Sequence, residues 1–534
     1  MKPPIVMPRI PEAERTPLVE TLLSLIEGLA QRVQKQEEDI AHLKDEIRVL
    51  KGQRGPPRFK ASKMDEKTEP RNAQQEKDKR RPGSDKRMKN AELVIHDEKI
   101  IQPMNGIPQG SRFKGYRDVV IQDLIIRAHN TRYRLARWLT PSGEFLTARL
   151  PSGLSTHRYG ATLRSYLLHQ HHHCQVTQPL LLEQLREWGI DISSGAIDAL
   201  LSADHAAFHE EKAALLKAGL ASASYITVDD SGARHEGKNG YVTQIGNPYF
   251  AWFESTESKS RINFLQLLCA GDIAYRINET ALHYMREQGL AQTPVKALAM
   301  SIRHCIADAA GWEVHLDTLG LQGERHRRIA TEGALLGELE DRGLAQLAII
   351  SDDAGQFDVL THGLCWIHSE RLIHTLLPLN ADHREDIAKV RSQVWQLYAD
   401  LKGYKQRPTE KAKRSLGKRF EEIFSQKTRY QGLNELLKRL RLKKAELLLV
   451  LERPEIPLHT NGSEGDIRDY VKKRKVSGGT RSDTGRQCRN TFASLKKTCR
   501  KLGISFWDYL NDRLTHAGRI LPLPFTVQFR ANNA

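Results

Sequence analysis

Three stretches of the chain place carboxylates where they could hold a divalent cation. "YITV" is a short apolar run that ends in Asp229–Asp230, and "LAQLAIIS" ends in Asp352–Asp353. The third, "LHTNGSEGDIRDYVKKRK", carries Glu464, Asp466 and Asp469 and then turns strongly basic. Carboxylates are hard oxygen ligands that suit Mg²⁺ or Mn²⁺, which keep positions open for water and phosphate oxygens. Two such ions about 3.5–4 Å apart can activate an attacking oxygen and stabilise a leaving one. A lone Asp-Asp after a strand often only caps a turn. Two of them with an acidic helix, in a basic chain, carry more weight, and Glu464 can supply the third carboxylate.

These acids need strands and helices to bring them together. "YITV" reads as a buried strand, "GYVTQI" and "YFAWFE" as two more strands joined by a Gly-Asn-Pro turn, and "SKSRINFLQLL" as a helix. A strand ending in Asp, two antiparallel strands and a helix are how an RNase H-like core begins. "LAQLAII" supplies a second buried strand with an acid at its end. Between the two lie added helical patterns, "DIAYRINETALHYMREQG" and "HRRIATEGALLGELEDRG". From Lys402 to Lys444 there are 15 Lys/Arg against 4 Asp/Glu, so this helical run either meets phosphates or is a solvated face.

Upstream, Leu22, Ile26, Leu29, Val33, Gln36, Ile40, Leu43, Ile47 and Leu50 step by four and three. That heptad seam, with β-branched residues at a and mainly leucine at d, predicts a parallel dimeric coiled coil. Residues 58–89 are charged and poor in apolar side chains and predict a disordered basic linker. "VVIQDLII", "RYRLARWLT" and "EFLTARL" predict a small β meander, in which Arg134 and Arg137 beside Tyr133 and Trp138 suit a nucleic-acid face; a half-buried sheet would look the same. "LLLEQLREWGIDISSGAIDALLS" predicts helix, Gly189 turn, helix, a pattern shared by helix-turn-helix modules and ordinary helical hairpins. The neighbouring "HQHHHC" is a poor metal site, because adjacent histidines on a helix face different ways.

The net charge of +17 favours a polyanionic partner, nucleic acid above all. No apolar run approaches the ~20 residues of a membrane span, the stretch "MKPPIVMPRIPEAERT" has no apolar signal core, and a cytoplasmic, nucleoid-associated location is expected. Six scattered cysteines without a CxxC pair argue against a disulfide framework or zinc ribbon.

The sequence resembles the D-D-E transposases of bacterial insertion sequences, in particular insertion-sequence family 66. That family reads its third acid in a segment of the form NNxxERxxR, followed by RK and then S-D. Asn461, Glu464, Arg468, Arg474–Lys475 and Ser482–Asp483 match at the same spacing, while Thr460 and Gly465 depart from it. Asp229, Asp230 and Ser231 match the strand end that carries the first acid, and Asp352 matches the second, with Asp353 as the fallback. The family's CWxHxxR is here Cys365, Trp366, His368 and Arg371. Its cysteine zinc motif has no counterpart near residues 116–150, and the Asp229–Asp352 interval is long, so the chain resembles a divergent member.

The resemblance implies a multidomain α/β protein: a coiled coil (18–52), a basic linker (53–112), a small β region (113–152), a helical DNA-binding region (153–218), an RNase H-like core (219–364 and 456–520) split by a basic helical insertion (365–455), and a tail (521–534). It implies a transposase that cuts insertion-sequence ends and joins the 3′-hydroxyl to target DNA. Asp229, Asp352 and Glu464 would hold Mg²⁺ or Mn²⁺. Arg468 could hold Glu464 or a phosphate, and Lys472, Lys473, Arg474 and Lys475 would meet the DNA backbone. Double-stranded DNA, a second copy through the coiled coil and accessory proteins of the same element are the expected partners. A structure-selective nuclease on the same core and a non-catalytic dimeric DNA-binding regulator are the alternative readings.

Overall fold

The computed structural model describes residues 94–102, 111–114, 116–150, 158–301 and 305–533, with part of 16–39. They fall into two compact units, one drawn from residues 1–64, 149–182 and 192–534, the other from 65–148 and 183–191. The protein is mixed α/β and mostly helical.

In the smaller unit the only strands among the described residues form a hairpin, β1 (Arg137–Leu139) and β2 (Phe145–Thr147), with Trp138 opposite Leu146. The expected three-stranded meander is therefore corrected to two short strands. "VVIQDLII" is irregular, and Val119, Ile121, Leu124 and Ile125 are exposed. A strand needs a partner and a face to bury, and among the described residues this segment has no partner strand. Arg134 and Arg137 are both exposed, and the Arg137 guanidinium lies 3.7 Å over the Phe145 ring.

In the larger unit a five-stranded sheet runs in the order β5-β4-β3-β8-β9. β3 (Tyr225–Gly232), β4 (Tyr241–Gly246) and β5 (Ala251–Thr256) are antiparallel neighbours. β8 (Ala348–Ser351) and β9 (Thr361–Leu364) continue the sheet in parallel. β8 is buried at every residue, which is why its sequence is a continuous apolar run rather than an alternating one. Two short strands, β6 (Tyr275–Arg276) and β7 (Cys305–Ile306), pair apart from this sheet among the added helices. Those helices include Glu279–Glu287 and Glu324–Asp341, as the sequence predicts.

The edge of β5 is covered by the helix Asp483–Lys501. Thr498 Oγ1 accepts from Ala251 N at 3.1 Å and Ser494 Oγ accepts from Phe253 N at 2.9 Å. The insertion is a helical layer, Ala381–Gln406, Glu410–Ser425 and Gln431–Leu442, whose Val390, Val394, Leu416, Phe420 and Leu433 share one apolar core with Ala348 and Ile350 of β8 and with Trp366.

The predicted helix, glycine turn and helix are present as Gln178–Glu187 and Ser194–Ser202, with Gly189 at φ 75° and Ser193 capping the second helix. The described residues between 17 and 39 are helical, and the seam residues Leu22, Ile26, Leu29 and Val33 are exposed. The rest of the seam, 40–50, and residues 53–93 of the linker lie outside the described residues. No helix among the described residues is long and apolar enough to cross a membrane.

Candidate functional site

Asp229 and Asp352 are brought together by strand register. Tyr225 of β3 pairs with Ala348 of β8 in parallel, and each acid lies four residues further along its own chain. Neighbouring strands run about 4.8 Å apart, so the two carboxylates leave the sheet side by side. Burial first, and then the charges of Asp352 and Asp230, push the Asp229 carboxyl up to about 6, against a hydrogen bond from Asp230 N.

The second acid of each doublet is committed elsewhere. Asp230 pairs with Lys259 and accepts from Gln356 Nε2 at 2.6 Å. Asp353 sits at φ 78° and pairs with Arg439 of the insertion at 2.8 Å. Among the described residues Asp352 Oδ1 accepts from Ala354 N at 3.3 Å and makes no ion pair.

Glu464 arrives in the first turn of the helix Asn461–Ser477. Ser463 Oγ meets Thr227 Oγ1 at 2.6 Å. Thr227 and Asp229 are two residues apart on β3 and share a face, so this contact seats the helix start on the face that carries Asp229. Beneath it lies the CWxHxxR motif. Cys365 N continues the sheet by donating to Ser351 O, and the buried Cys365 thiol accepts from Thr460 N at 3.4 Å. Trp366 is buried and donates from Nε1 to Leu447 O at 2.8 Å. Burial opposes charge on His368, but its hydrogen bond with Cys365 and the charges of Cys365, Glu464 and Asp352 raise its imidazole above the ordinary value.

Arg371 reaches Glu464 with both terminal nitrogens, at 2.9 and 3.2 Å, and His368 Nε2 lies 3.6 Å from the same carboxylate. Arg468 is exposed one helical turn on; the guanidinium that holds Glu464 comes instead from Arg371, on the helix Trp366–His374. A separation of 93 residues carried no local signal of this pairing.

The basic end of the helix divides by helical phase. Ser463, Asp466, Ile467, Tyr470 and Lys473 form the buried stripe, packed with Val242 and Phe253. Arg468, Lys472 and Lys475 are exposed. Lys473 was expected at the DNA backbone, but it points inward and donates to His171 O at 2.8 Å. Arg474 is half-buried and donates back to Gly232 O at the end of β3.

Among the described residues no three His, Cys, Asp or Glu side chains stand together as a ready metal cage. The chemistry of the donors still fits a hard cation in part. Asp229 and Asp352 are adjacent carboxylates whose mutual repulsion a cation would relieve. Gln244, opposite Asp229 in the ladder, is fully buried with neither end of its amide hydrogen-bonded. Glu464 fits only after it gives up Arg371.

Residues 349–488 match the sequence model of the IS66 family of transposases. This segment runs from β8 through the CWxHxxR motif to the Glu464 helix. The chain is also 43% identical over 321 residues to the uncharacterized protein y4jO of Sinorhizobium fredii (strain NBRC 101917 / NGR234), a match that covers 59% of this chain and 100% of that protein. The chain belongs to the IS66 transposase family.

Proposed function

We propose that the protein cuts phosphodiester bonds at the ends of its insertion sequence and joins the freed 3′-hydroxyl to target DNA. The strand order and the acids at its centre support reading the five-stranded sheet as an RNase H-like core. Asp229, Asp352 and Glu464 are the ligands we assign to divalent cations, Mg²⁺ or Mn²⁺. When bound, such ions lower the pKa of the attacking oxygen and neutralise charge on the leaving one. The observation that carries this reading is the parallel register of β3 and β8, which puts Asp229 level with Asp352 one residue past the end of β8, with the Glu464 helix held against Thr227 of β3.

Each residue of the chain then has a task. Asp230 and Asp353, tied to Lys259 and Arg439, hold the strand ends in place. Arg371 neutralises Glu464, and with a cation on that carboxylate it would be free to face a phosphate oxygen. Arg468, Lys472 and Lys475, on the exposed face of the same helix, contact the DNA backbone, and Arg134 and Arg137 offer a second basic face beside aromatic rings. Lys473 and Arg474 hold the helix rather than the DNA. The N-terminal heptads pair two copies in parallel, and accessory proteins of the element assist.

The test is cleavage and joining of labelled DNA that carries the element's own ends, in Mg²⁺ or Mn²⁺. Asp229→Asn, Asp352→Asn and Glu464→Gln should each lose both steps by at least about a hundredfold while still binding the ends. Normal cutting by all three variants would overturn the assignment. Cutting without joining in the wild type would make the protein a nuclease. Equal DNA binding in EDTA and Mg²⁺, with no cutting, would make it a regulator.

A further inference from the structure

The side of the Asn461–Ser477 helix away from Glu464 packs against the helix Asp483–Lys501 and the turn His169–His173. Between them lies a void of about 20 Å³. That is room for one small occupant, on a side that is partly open to solvent. Lys473, Arg489, Lys496 and Lys497 all line it.

The charges around it do not balance. Asp466 pairs with Lys501 at 2.9 Å, and Asp469 pairs with Lys497 at 2.6 Å and lies 3.7 Å from the exposed Lys472. Both acids also line the pocket, and Asp466 Oδ2, though ion-paired with Lys501, makes no hydrogen bond. Lys473, Lys496 and Arg489 have no carboxylate hydrogen-bonded to them among the described residues: Lys473 meets His171 O at 2.8 Å and His171 Nδ1 at 3.4 Å, Lys496 meets His172 O at 3.4 Å and Arg489 meets Gly478 O at 3.1 Å. Asp469 acts on Lys496 through space and is countered there by Lys497 and Arg500. An ammonium has three donors, so Lys473 and Lys496 both have N–H groups to spare. His172, stacked on Phe492, has a buried Nε2 without a hydrogen-bond partner, and it lines the same void.

Buried cations without counter-charge are costly. Two remedies exist: Lys473 gives up its proton, or an anion enters. Burial, Arg489 and Lys496 already push the Lys473 ammonium down to about 7.

We propose that the void holds a single monatomic anion, chloride at cellular salt, bound between Lys473, Lys496 and Arg489. The ion joins the two helices and so fixes the helix that carries Glu464. It is a structural site, separate from the carboxylates and independent of the reaction assigned to them.

The experiment uses the full-length protein and two probes, chloride and bromide. Thermal unfolding is followed at pH 6, where Lys473 carries its proton, and at constant ionic strength while sodium gluconate is replaced stepwise by sodium chloride or bromide. The wild-type midpoint should climb with halide and level off, by about 2 °C. Lys473→Met, which keeps the bulk and removes the donor, should abolish the climb. Lys496→Met should do the same and serves if the first variant does not fold. Bromide-soaked crystals should give an anomalous peak in the void. Equal midpoints in gluconate and halide overturn the proposal, as does an undiminished climb in the folded variants or a water in place of the bromide.

Discussion

Replacing Arg371 with alanine separates two roles that its contact with Glu464 could play. Arg371 covers both carboxylate oxygens, at 2.9 and 3.2 Å. The pair is half open, with side-chain exposures of 38% for Arg371 and 17% for Glu464. Solvent therefore screens it, and its worth lies near the top of the range for exposed pairs, about 1 kcal/mol. A cation that needs Glu464 must first displace Arg371. Deleting the guanidinium removes that cost, and about 1 kcal/mol corresponds to about fivefold tighter binding. Titration calorimetry of Mn²⁺ into wild type and Arg371→Ala measures this directly. Thermal unfolding in EDTA should move the opposite way, because the variant leaves Glu464 with only His368 at 3.6 Å. Unchanged or weaker Mn²⁺ binding in Arg371→Ala would refute the reasoning and make Arg371 a group that positions Glu464 for the metal.

Two further predictions rest on the sheet. The Asp229 carboxyl, at about 6, lies above its ordinary value, so the folded protein holds that proton more tightly than the unfolded chain. Without metal, stability from this group falls as pH rises from about 4 to 6. Asp229→Asn should escape that loss and be more stable than wild type at pH 7 in EDTA by on the order of 1–2 kcal/mol, a gap that closes by about pH 4 in denaturant titrations. Gly246 ends β4, where an added Cβ would stand 2.5 Å from Phe250 O; Gly246→Ala should cost about 2 kcal/mol by the same method, and an unchanged midpoint would show that the turn can shift.

The strands that carry the acids were legible because short apolar runs ending in Asp have a plain local signature. Their pairing was not, since nothing in "YITV" or "LAQLAII" states that Tyr225 lies opposite Ala348. The choice within each doublet came from resemblance alone. The structure adds a physical distinction, because Lys259 and Arg439 engage Asp230 and Asp353 from distant parts of the chain. Lys473 misled for a different reason. Helical phase puts it inside, but the buried stripe it belongs to also contains Ser463 and Asp466, so no apolar periodicity marked the buried face. The expected meander failed because apolar composition alone does not supply a partner strand.

The hydroxyls along the Asp483–Lys501 helix have a consequence for assembly. Thr498 and Ser494 accept the N–H groups that β5 would otherwise offer to an incoming strand. A sheet edge left bare is a template for pairing with any extended chain, including another copy of the same protein. Here that template is already filled from within, by short polar side chains that leave no register for a newcomer to adopt. Two copies brought close together therefore cannot fuse their sheets along this edge without first displacing that helix.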